Sequence, residues 1–407
     1  MTDPTNISRR MSMSSVVQAI TTYGPISRAS VAKMTGLSKQ TVSEVVASLE
    51  SDGWVQTVGR TEGNVGRRAV VYEIVPEAAL VASVDLGGTK VRVALCNLSG
   101  AVVVEIAEPT VQSGGTAVID QIGRLILAAA SKYGCLPEKV RVAVVGVPGV
   151  LDAATGHINL APNISGIDSI NFPALLQDRL GIEVLVENDV NLAALGEHWM
   201  THQGEKDDLV YLSIGTGIGA GLVIGGQLVR GATGAAGEIG YLPFGADPFE
   251  AKSLTVGALE RKTATSAIIE HYQELTGVTK TVPQVFEAAL QGDADAKEVL
   301  ARAARYIARA IAAIAAVVDP ACVVIGGSIG ARDELIRLIE PEIRRCFPRN
   351  IPVESSVLGN HAALAGGTSI ALSRLNIALF SGGLPGGAIV VPARIWPSFT
   401  RAWHERQ

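Results

Sequence analysis

Twice in this chain an apolar run breaks on glycines and gives way at once to a second apolar run. The first break, from Ala82 to Lys90, reads Ala-Ser-Val-Asp-Leu-Gly-Gly-Thr-Lys and continues into Val91. The second, Leu209 to Gly221, has Ser213-Ile214-Gly215-Thr216-Gly217-Ile218-Gly219 at its centre. Each predicts strand, tight tip and strand, because adjacent residues without Cβ turn the chain sharply and leave backbone N–H groups open to an anion. Thr89, Lys90 and Thr216 add hydroxyls and a cation beside those tips. Two hairpins of one design about 130 residues apart predict a duplicated α/β fold with one phosphate loop per lobe and a nucleotide between the lobes. Neither the P-loop spacing nor the dinucleotide fingerprint fits, since both place their glycines at a helix start.

Other punctuation agrees with alternating strands and helices. Val142 to Val150 is an apolar strand ending in Gly146-Val147-Pro148-Gly149. A long helix from about Ala294 to Val318, stopped by Pro320, leads into a strand from Cys322 that breaks at Gly326-Gly327-Ser328. At 407 residues the chain exceeds one hydrophobic core. No stretch approaches the roughly 18 uninterrupted apolar residues of a membrane span. The polar start lacks the apolar segment of a signal peptide, which predicts a cytoplasmic protein. The four cysteines, Cys96, Cys135, Cys322 and Cys346, form no Cys-x-x-Cys pair and are expected to be reduced packing residues.

The first 80 residues read as a separate module. Apolar stripes predict three helices: one over Ser14 to Thr22, stopped by Gly24-Pro25; one capped by Ser27; and one capped by Ser38 over Lys39 to Asp52. The third would bury Val42, Val45, Val46 and Leu49. Two β-rich runs, Trp54 to Val58 and Ala69 to Ile74, follow around the tip Arg60 to Arg68. Together these predict a winged helix-turn-helix over residues 12–75. Ser38, Lys39, Gln40, Thr41 and Ser43 would start its recognition helix, and Arg67 and Arg68 would lie on the wing. Lys and Gln can address base edges there, and Ser and Thr phosphates. A protein-docking or purely structural head is the alternative. Net charge is −5, with +1 in residues 1–80 and −6 in the remainder, so any DNA contact must come from these clustered cations.

Five motifs, in order, resemble the signatures of the ROK family (repressors, open reading frames and kinases). They are Asp85-Leu-Gly-Gly-Thr-Lys90, Glu187-Asn-Asp-Val-Asn191, Ser213 to Gly221, Gly231-Ala-Thr-Gly-Ala-Ala-Gly-Glu-Ile-Gly240 and Ile325-Gly-Gly-Ser328. The resemblance spans residues 81 to about 375. It implies a two-lobed actin-like (ribonuclease H-like) sugar kinase fold, with lobes over 81–190 and 191–375 and a tail over 376–407, assembled as a dimer or tetramer. It also implies that Asp189 is a catalytic base toward a sugar hydroxyl and that Asn188, Glu238, Tyr241 and Glu260 surround the sugar. Asp85, Gly87, Gly88, Thr89, Lys90, Gly215, Thr216 and Gly217 would hold phosphates and Mg²⁺, and Gly326, Gly327 and Ser328 the adenosine. For Asp189 the alternative is a helix N-cap, since Val190 to Trp199 reads as a helix.

The departure from the family pattern concerns a metal. Family members usually hold a structural zinc through a His and three cysteines 10, 12 and 17 residues later. The corresponding positions here are Tyr241, Ala251, Ser253 and Ala258, so no zinc is expected. The loop Pro243 to Ser253 would order itself by packing Phe244 and Phe249, or by sugar. Gly257-Ala-Leu-Glu260 keeps the register that places Glu260 toward the sugar, unless this loop is unrelated and carries no ligand role.

The expected function is a sugar-responsive transcription regulator, a repressor that binds palindromic operator DNA as a dimer and takes a monosaccharide or sugar phosphate as effector. No cofactor is needed for DNA binding. An ATP- and Mg-dependent sugar kinase is the alternative, because Asp85 to Lys90 and Asp189 are intact. The tail, with Trp396, Phe399 and Trp403, is expected to pack on the body or on a partner subunit.

Overall fold

The computed structural model describes residues 4–60, 69–152, 154–161, 163–202 and 207–381. The wing-tip residues Arg67 and Arg68 and the tail aromatics Trp396, Phe399 and Trp403 lie outside the described residues. The chain divides into two compact units, Met1–Gly149 with Thr155–Glu187 and Gly367–Gln407, and Val150–Ala154 with Asn188–Gly366.

The first unit begins with three helices, Pro4–Tyr23, Arg28–Thr35 and Lys39–Ser51. Ser27 and Ser38 cap the last two as expected, accepting from Ser30 N at 3.2 Å and from Thr41 N at 3.0 Å. The third helix buries Val42, Val45, Val46 and Leu49. Strands Val55–Arg60 and Val70–Ile74 pair antiparallel, and Ile26–Ser27 adds a short third strand beside Val71 and Tyr72. These elements share one apolar core built around Val16, Ile20, Val31, Val46 and Leu49, against which Leu379 also packs. The beginning of the tail therefore lies on this head, as a helical turn Ile377–Ser381 next to the first helix.

The same unit holds a five-stranded sheet. Its strands run, in spatial order, Glu183–Asn188, Val140–Val147, Leu80–Leu86, Lys90–Asn97 and Val102–Pro109. Leu80–Leu86 is parallel to Val140–Val147 and antiparallel to its hairpin partner Lys90–Asn97. The amphipathic helix Gly115–Tyr133 buries Val118, Ile122, Leu125 and Ile126.

The second unit repeats the design. Its order is Val353–Ser355, Cys322–Gly326, Leu209–Ile214, Ile218–Ile224 and Gln227–Leu228. The strand leading into its hairpin is again parallel to one neighbour and antiparallel to its partner. The duplication anticipated from the two glycine tips is thus present as the same strand arrangement in both sheets. The 25-residue helix Ala294–Val318 lays Val299, Leu300, Ala303, Ile307 and Ile311 into the core of this unit.

Helix Gly359–Leu379 is long and apolar on average, but Asn360, Thr368, Ser369 and Arg374 interrupt it and 67% of its apolar window is buried inside the protein, so its apolar surface is core. Two expectations need correcting. Cys346 is exposed, not packed, whereas burial pushes the Cys96 thiol up to about 12. Phe249 does not pack: it is 91% exposed, and of the two aromatics only Phe244 reaches the core.

Candidate functional site

Strand Ile218–Ile224 is the wall on which the second unit gathers its predicted ligand side chains. Helix Asp189–Glu197 lies directly on it: a Cβ at Gly219 would meet Val190 Cγ2 at 3.4 Å, and one at Gly221 would meet Ala194 Cβ at 2.6 Å. The two glycines let the helix approach, and the approach sets Asp189 at the head of the strand. Asn188 caps that helix, its Oδ1 accepting from Asn191 N at 3.0 Å. The N-cap alternative for Asp189 is therefore corrected: Asn188 is the cap and Asp189 the first helical residue, its Oδ1 accepting from Val190 N at 2.9 Å.

Glu260 reaches the same place from a short helix, Glu260–Thr263. Its Oε2 accepts from Ile218 N at 2.9 Å. Any Cβ at Gly217 would lie 2.6 Å from that oxygen, so glycine there makes room for the carboxylate. Gly240 packs on Ile218 O, and Gly237, at φ +94°, leaves its carbonyl to Ala220 N at 2.8 Å, which brings Glu238 and Tyr241 alongside. Burial pushes the Glu238 and Glu260 carboxyls above their ordinary values, and the Glu238 charge adds to the rise at Glu260. Both carboxylates also raise the Tyr241 phenol, after burial. Its Oη donates to Thr255 O at 3.3 Å. Glu238, Tyr241 and Glu260 thus lie close enough for the carboxylate charges to be felt by their neighbours, and Asn188 and Asp189 open the helix that packs on the same strand. Such a set is rich in acceptors for hydroxyl donors.

The second glycine tip joins strands Leu209–Ile214 and Ile218–Ile224 as expected. Gly215 N donates to Gly217 O at 2.9 Å, and Gly215 O accepts from both the amide and the hydroxyl of Thr265 at 2.9 Å. A Cβ at Gly215 would stand 2.9 Å from Ser328 Oγ, so the tip and the Gly326-Gly327-Ser328 turn touch. Thr216 and Ser328 are exposed. Gly326 is a packing glycine: a Cβ there would lie 2.0 Å from Tyr211 Oη. Burial, with the Glu197 charge, holds that phenol protonated far above its ordinary range.

In the first unit the hairpin tip is Gly87 to Thr89. Gly87 N donates to Lys90 O at 3.0 Å, Gly87 O accepts from Thr110 Oγ1 at 2.6 Å, and Thr89 O accepts from Thr110 N at 3.1 Å. Thr89 and Lys90 are exposed. Asp85 is engaged by Arg92 at 3.1 Å, so its carboxylate is already partnered by a cation where a divalent ion was expected.

Sequence reasoning missed several contributors. Asn163 lies against Gly88, where a Cβ would be 2.8 Å away. Thr110 and Thr265 brace the two tips. Glu197 is fully buried, and its Oε1 accepts from Leu358 N at 3.0 Å and from Ser356 Oγ. Each is a long-range partner with no motif of its own. Among the described residues no group of three or more His, Cys, Asp or Glu side chains is placed to hold a metal ion. The four family zinc positions offer a phenol, a hydroxyl and two methyls, which do not fit zinc.

In the head, Lys39 and Gln40 are exposed at the start of helix Lys39–Ser51, and Gln40 Nε2 donates to Glu44 at 3.0 Å. Thr41 is tied to the Ser38 cap, with hydroxyls 2.8 Å apart. Ser43 Oγ accepts from Arg28 Nη1 at 3.1 Å, and Arg28 also lies 4.8 Å from the centre of the Tyr72 ring. Ser43 is therefore a brace of the helix as well as a candidate contact.

A duplicated sheet with a glycine hairpin in each half, and two neighbouring carboxyls, Glu238 and Glu260, beside the second hairpin, are features of the sugar kinase-like class of α/β proteins. The ROK family profile matches residues 81–374, and the chain belongs to that family. It is 27% identical over 367 residues to the xylose repressor of Caldicellulosiruptor bescii, covering 86% of this chain and 92% of that one. It is 31% identical over 309 residues to the glucokinase of Halalkalibacterium halodurans, covering 70% of this chain and 92% of that one. A solved ROK family transcriptional regulator, described as a homolog of the E. coli MLC protein, shares the fold with a TM-score of 0.74 at 22% identity, covering 92% of this chain and 97% of that one.

Proposed function

We propose that this protein is a sugar-responsive transcriptional regulator, a repressor of carbohydrate genes, whose head is a winged helix-turn-helix and whose second unit binds a monosaccharide or its phosphate. One observation carries the reading. Ahead of the family domain stands a head with a core of its own, whose helix Lys39–Ser51 turns a capped, polar N-terminal end with Lys39 and Gln40 to solvent. A cation and an amide at the start of an exposed helix suit base edges in the major groove, and Ser38 and Thr41 suit the flanking phosphates. A palindromic operator calls for two such heads, so the acting species is a dimer in the cytoplasm. Similarity to a xylose repressor supports a sugar effector. In the second unit Asn188, Asp189, Glu238, Tyr241 and Glu260 are the sugar ligands. Neither DNA binding nor loop order requires zinc.

A gel shift with the DNA upstream of the protein's own coding region tests this, run with D-xylose, D-glucose, N-acetyl-D-glucosamine and their phosphates. A shifted band that one of these sugars releases or strengthens is the expected outcome. A second reading, an ATP-dependent sugar kinase with Asp189 as base and Mg²⁺-ATP on the glycine tips, is favoured by the intact Asp85 to Lys90 motif and the glucokinase similarity. It displaces the first if no DNA fragment shifts while a sugar drives ADP formation that Asp189→Asn abolishes.

A further inference from the structure

The loop leading to Glu260 has no aromatic anchor at Phe249 and exposes Leu254 at 69%. Besides Phe244 on the core, the Tyr241 Oη bond to Thr255 O and the Ala246 N bond to Ala258 O at 3.0 Å, a guanidinium ties it down. Arg261 Nη1 donates to Glu250 Oε2 at 2.6 Å and to Ser253 Oγ at 2.7 Å, while its side chain is 18% exposed and Ser253 is buried. Glu250 is the residue at which helix Ala251–Val256 begins, so the fork grips that helix by its first turn.

Arg261 is the immediate neighbour of Glu260 in the helix Glu260–Thr263. Four residues are too few to hold a helix by its own hydrogen bonds, so anchors on its flanks set its orientation. Residues about 100° apart on a helix face different surroundings: Glu260 meets Ile218 N, and Arg261 meets the loop. Backbone bonds, Arg261 N to Gly257 O at 3.2 Å and Leu259 N to Gly240 O at 3.0 Å, fix the entry of the helix, and Leu259 and Thr263, both fully buried, seat its inner side. The ion pair adds an anchor on the outer side, next to Glu260. The two N–H bonds of Nη1 lie in the guanidinium plane, so gripping Glu250 and Ser253 together fixes the direction of the side chain as one bond alone would not.

We infer that Arg261 is a positioning residue for the sugar site, holding Glu260 on the Ile218 amide by clamping its helix to Glu250 and Ser253. The inference rests on the reading of Glu260 as a sugar ligand only for its consequence, not for the clamp itself.

Two measurements separate the clamp from the sugar reading. The first is amide hydrogen exchange in sugar-free protein. In Arg261→Ala the Ile218 amide should exchange at least tenfold faster, while Ala220, whose amide is bonded to Gly237 O, stays at the wild-type rate. The second is calorimetric titration with D-xylose, D-glucose and N-acetyl-D-glucosamine. Whichever of these wild type binds, Arg261→Ala should bind at least tenfold more weakly. The charge exchange Glu250→Arg with Arg261→Glu should recover most of the loss, a rescue that a general packing role would not produce. Should Arg261→Ala fail to fold, Arg261→Lys and Ser253→Ala, each removing part of the fork, carry the same two measurements with smaller shifts. Wild-type exchange at Ile218 in the folded variants overturns the clamp, whatever the sugars do. If wild type binds none of the sugars while Ile218 still loses protection in the variant, the clamp stands and the sugar reading fails for those three.

Discussion

Arg92 Nη1 stands 3.1 Å from Asp85 Oδ2 across the register pair that closes the first glycine hairpin. Both side chains are largely covered, at 22% and 15% exposure, so water screens the pair only in part. A double-mutant cycle with Asp85→Asn and Arg92→Leu should give a coupling of about 1 kcal/mol in denaturant melts. A coupling near zero would mean that the pair is incidental to the hairpin.

A Cβ at Gly326 would lie 2.0 Å from Tyr211 Oη, so glycine is required there for packing whether or not its backbone meets a nucleotide. Tyr211 is 3% exposed, so its ring cannot swing out to solvent without losing its buried contacts. Gly326→Ala should therefore destabilise the protein by about 2 kcal/mol or more, read as an earlier urea midpoint with an unchanged slope. Loss of any activity in this variant would report folding rather than nucleotide contact.

What was legible in the sequence was local. Ser27 and Ser38 as caps, the buried stripe of helix Lys39–Ser51, the helix Ala294–Val318 and both glycine tips follow from neighbours within a few positions, and each is where the pattern put it. What failed depended on partners distant in the chain. Phe249 is apolar and adjacent to Phe244, but only the backbone path decides which of them meets the core. Asn163 against Gly88, Thr265 on Gly215 and Arg261 on Glu250 have no periodicity to betray them, because a side chain that closes a contact across 11 to 75 positions leaves no local trace.

The head should divide its contacts by role. Lys39→Ala should narrow the gap between operator and random DNA, as loss of a base contact does, and because a cation goes with it should also lower the salt slope by about 1. Gln40→Ala should narrow the same gap and leave the salt slope unchanged, because no charge is lost. Ser43 is held by Arg28, so Arg28→Ala should impair the recognition helix as much as Ser43→Ala does. Fluorescence anisotropy at two salt concentrations distinguishes these outcomes, and equal salt slopes for all variants would refute the assignment of Lys39.

The raised Glu238 carboxyl has a consequence for stability. Burial disfavours its ionised form, so the folded state holds the proton more tightly than the unfolded chain. The favourable contribution of the protonated form is complete below the ordinary carboxylate value and is lost as pH rises through the elevated folded value. Glu238→Gln keeps the shape and removes the titration. Its stability relative to wild type should therefore increase between pH 4 and pH 7 in paired urea melts, and a constant difference would show that Glu238 is not desolvated.

Asp189 offers a test in which structure and chemistry come apart. The cap of helix Asp189–Glu197 is made by Asn188 Oδ1, and Asp189 contributes to the helix chiefly as a negative charge in its first turn. Asp189→Asn keeps the size and the acceptor oxygen, so it should cost no more than about 0.5 kcal/mol of stability. Asn188→Ala removes the cap and should cost about 1 kcal/mol. If Asp189 receives a sugar hydroxyl, the first variant should lose sugar response in the gel shift while its sugar-free DNA binding and melting temperature stay near wild type. Because an amide oxygen accepts more weakly than a carboxylate, the loss should appear as a higher sugar concentration for half-release, not as a protein that no longer binds DNA. An unchanged sugar dose in Asp189→Asn would remove Asp189 from the ligand set and leave Glu238 and Glu260 as the carboxylates that read the sugar.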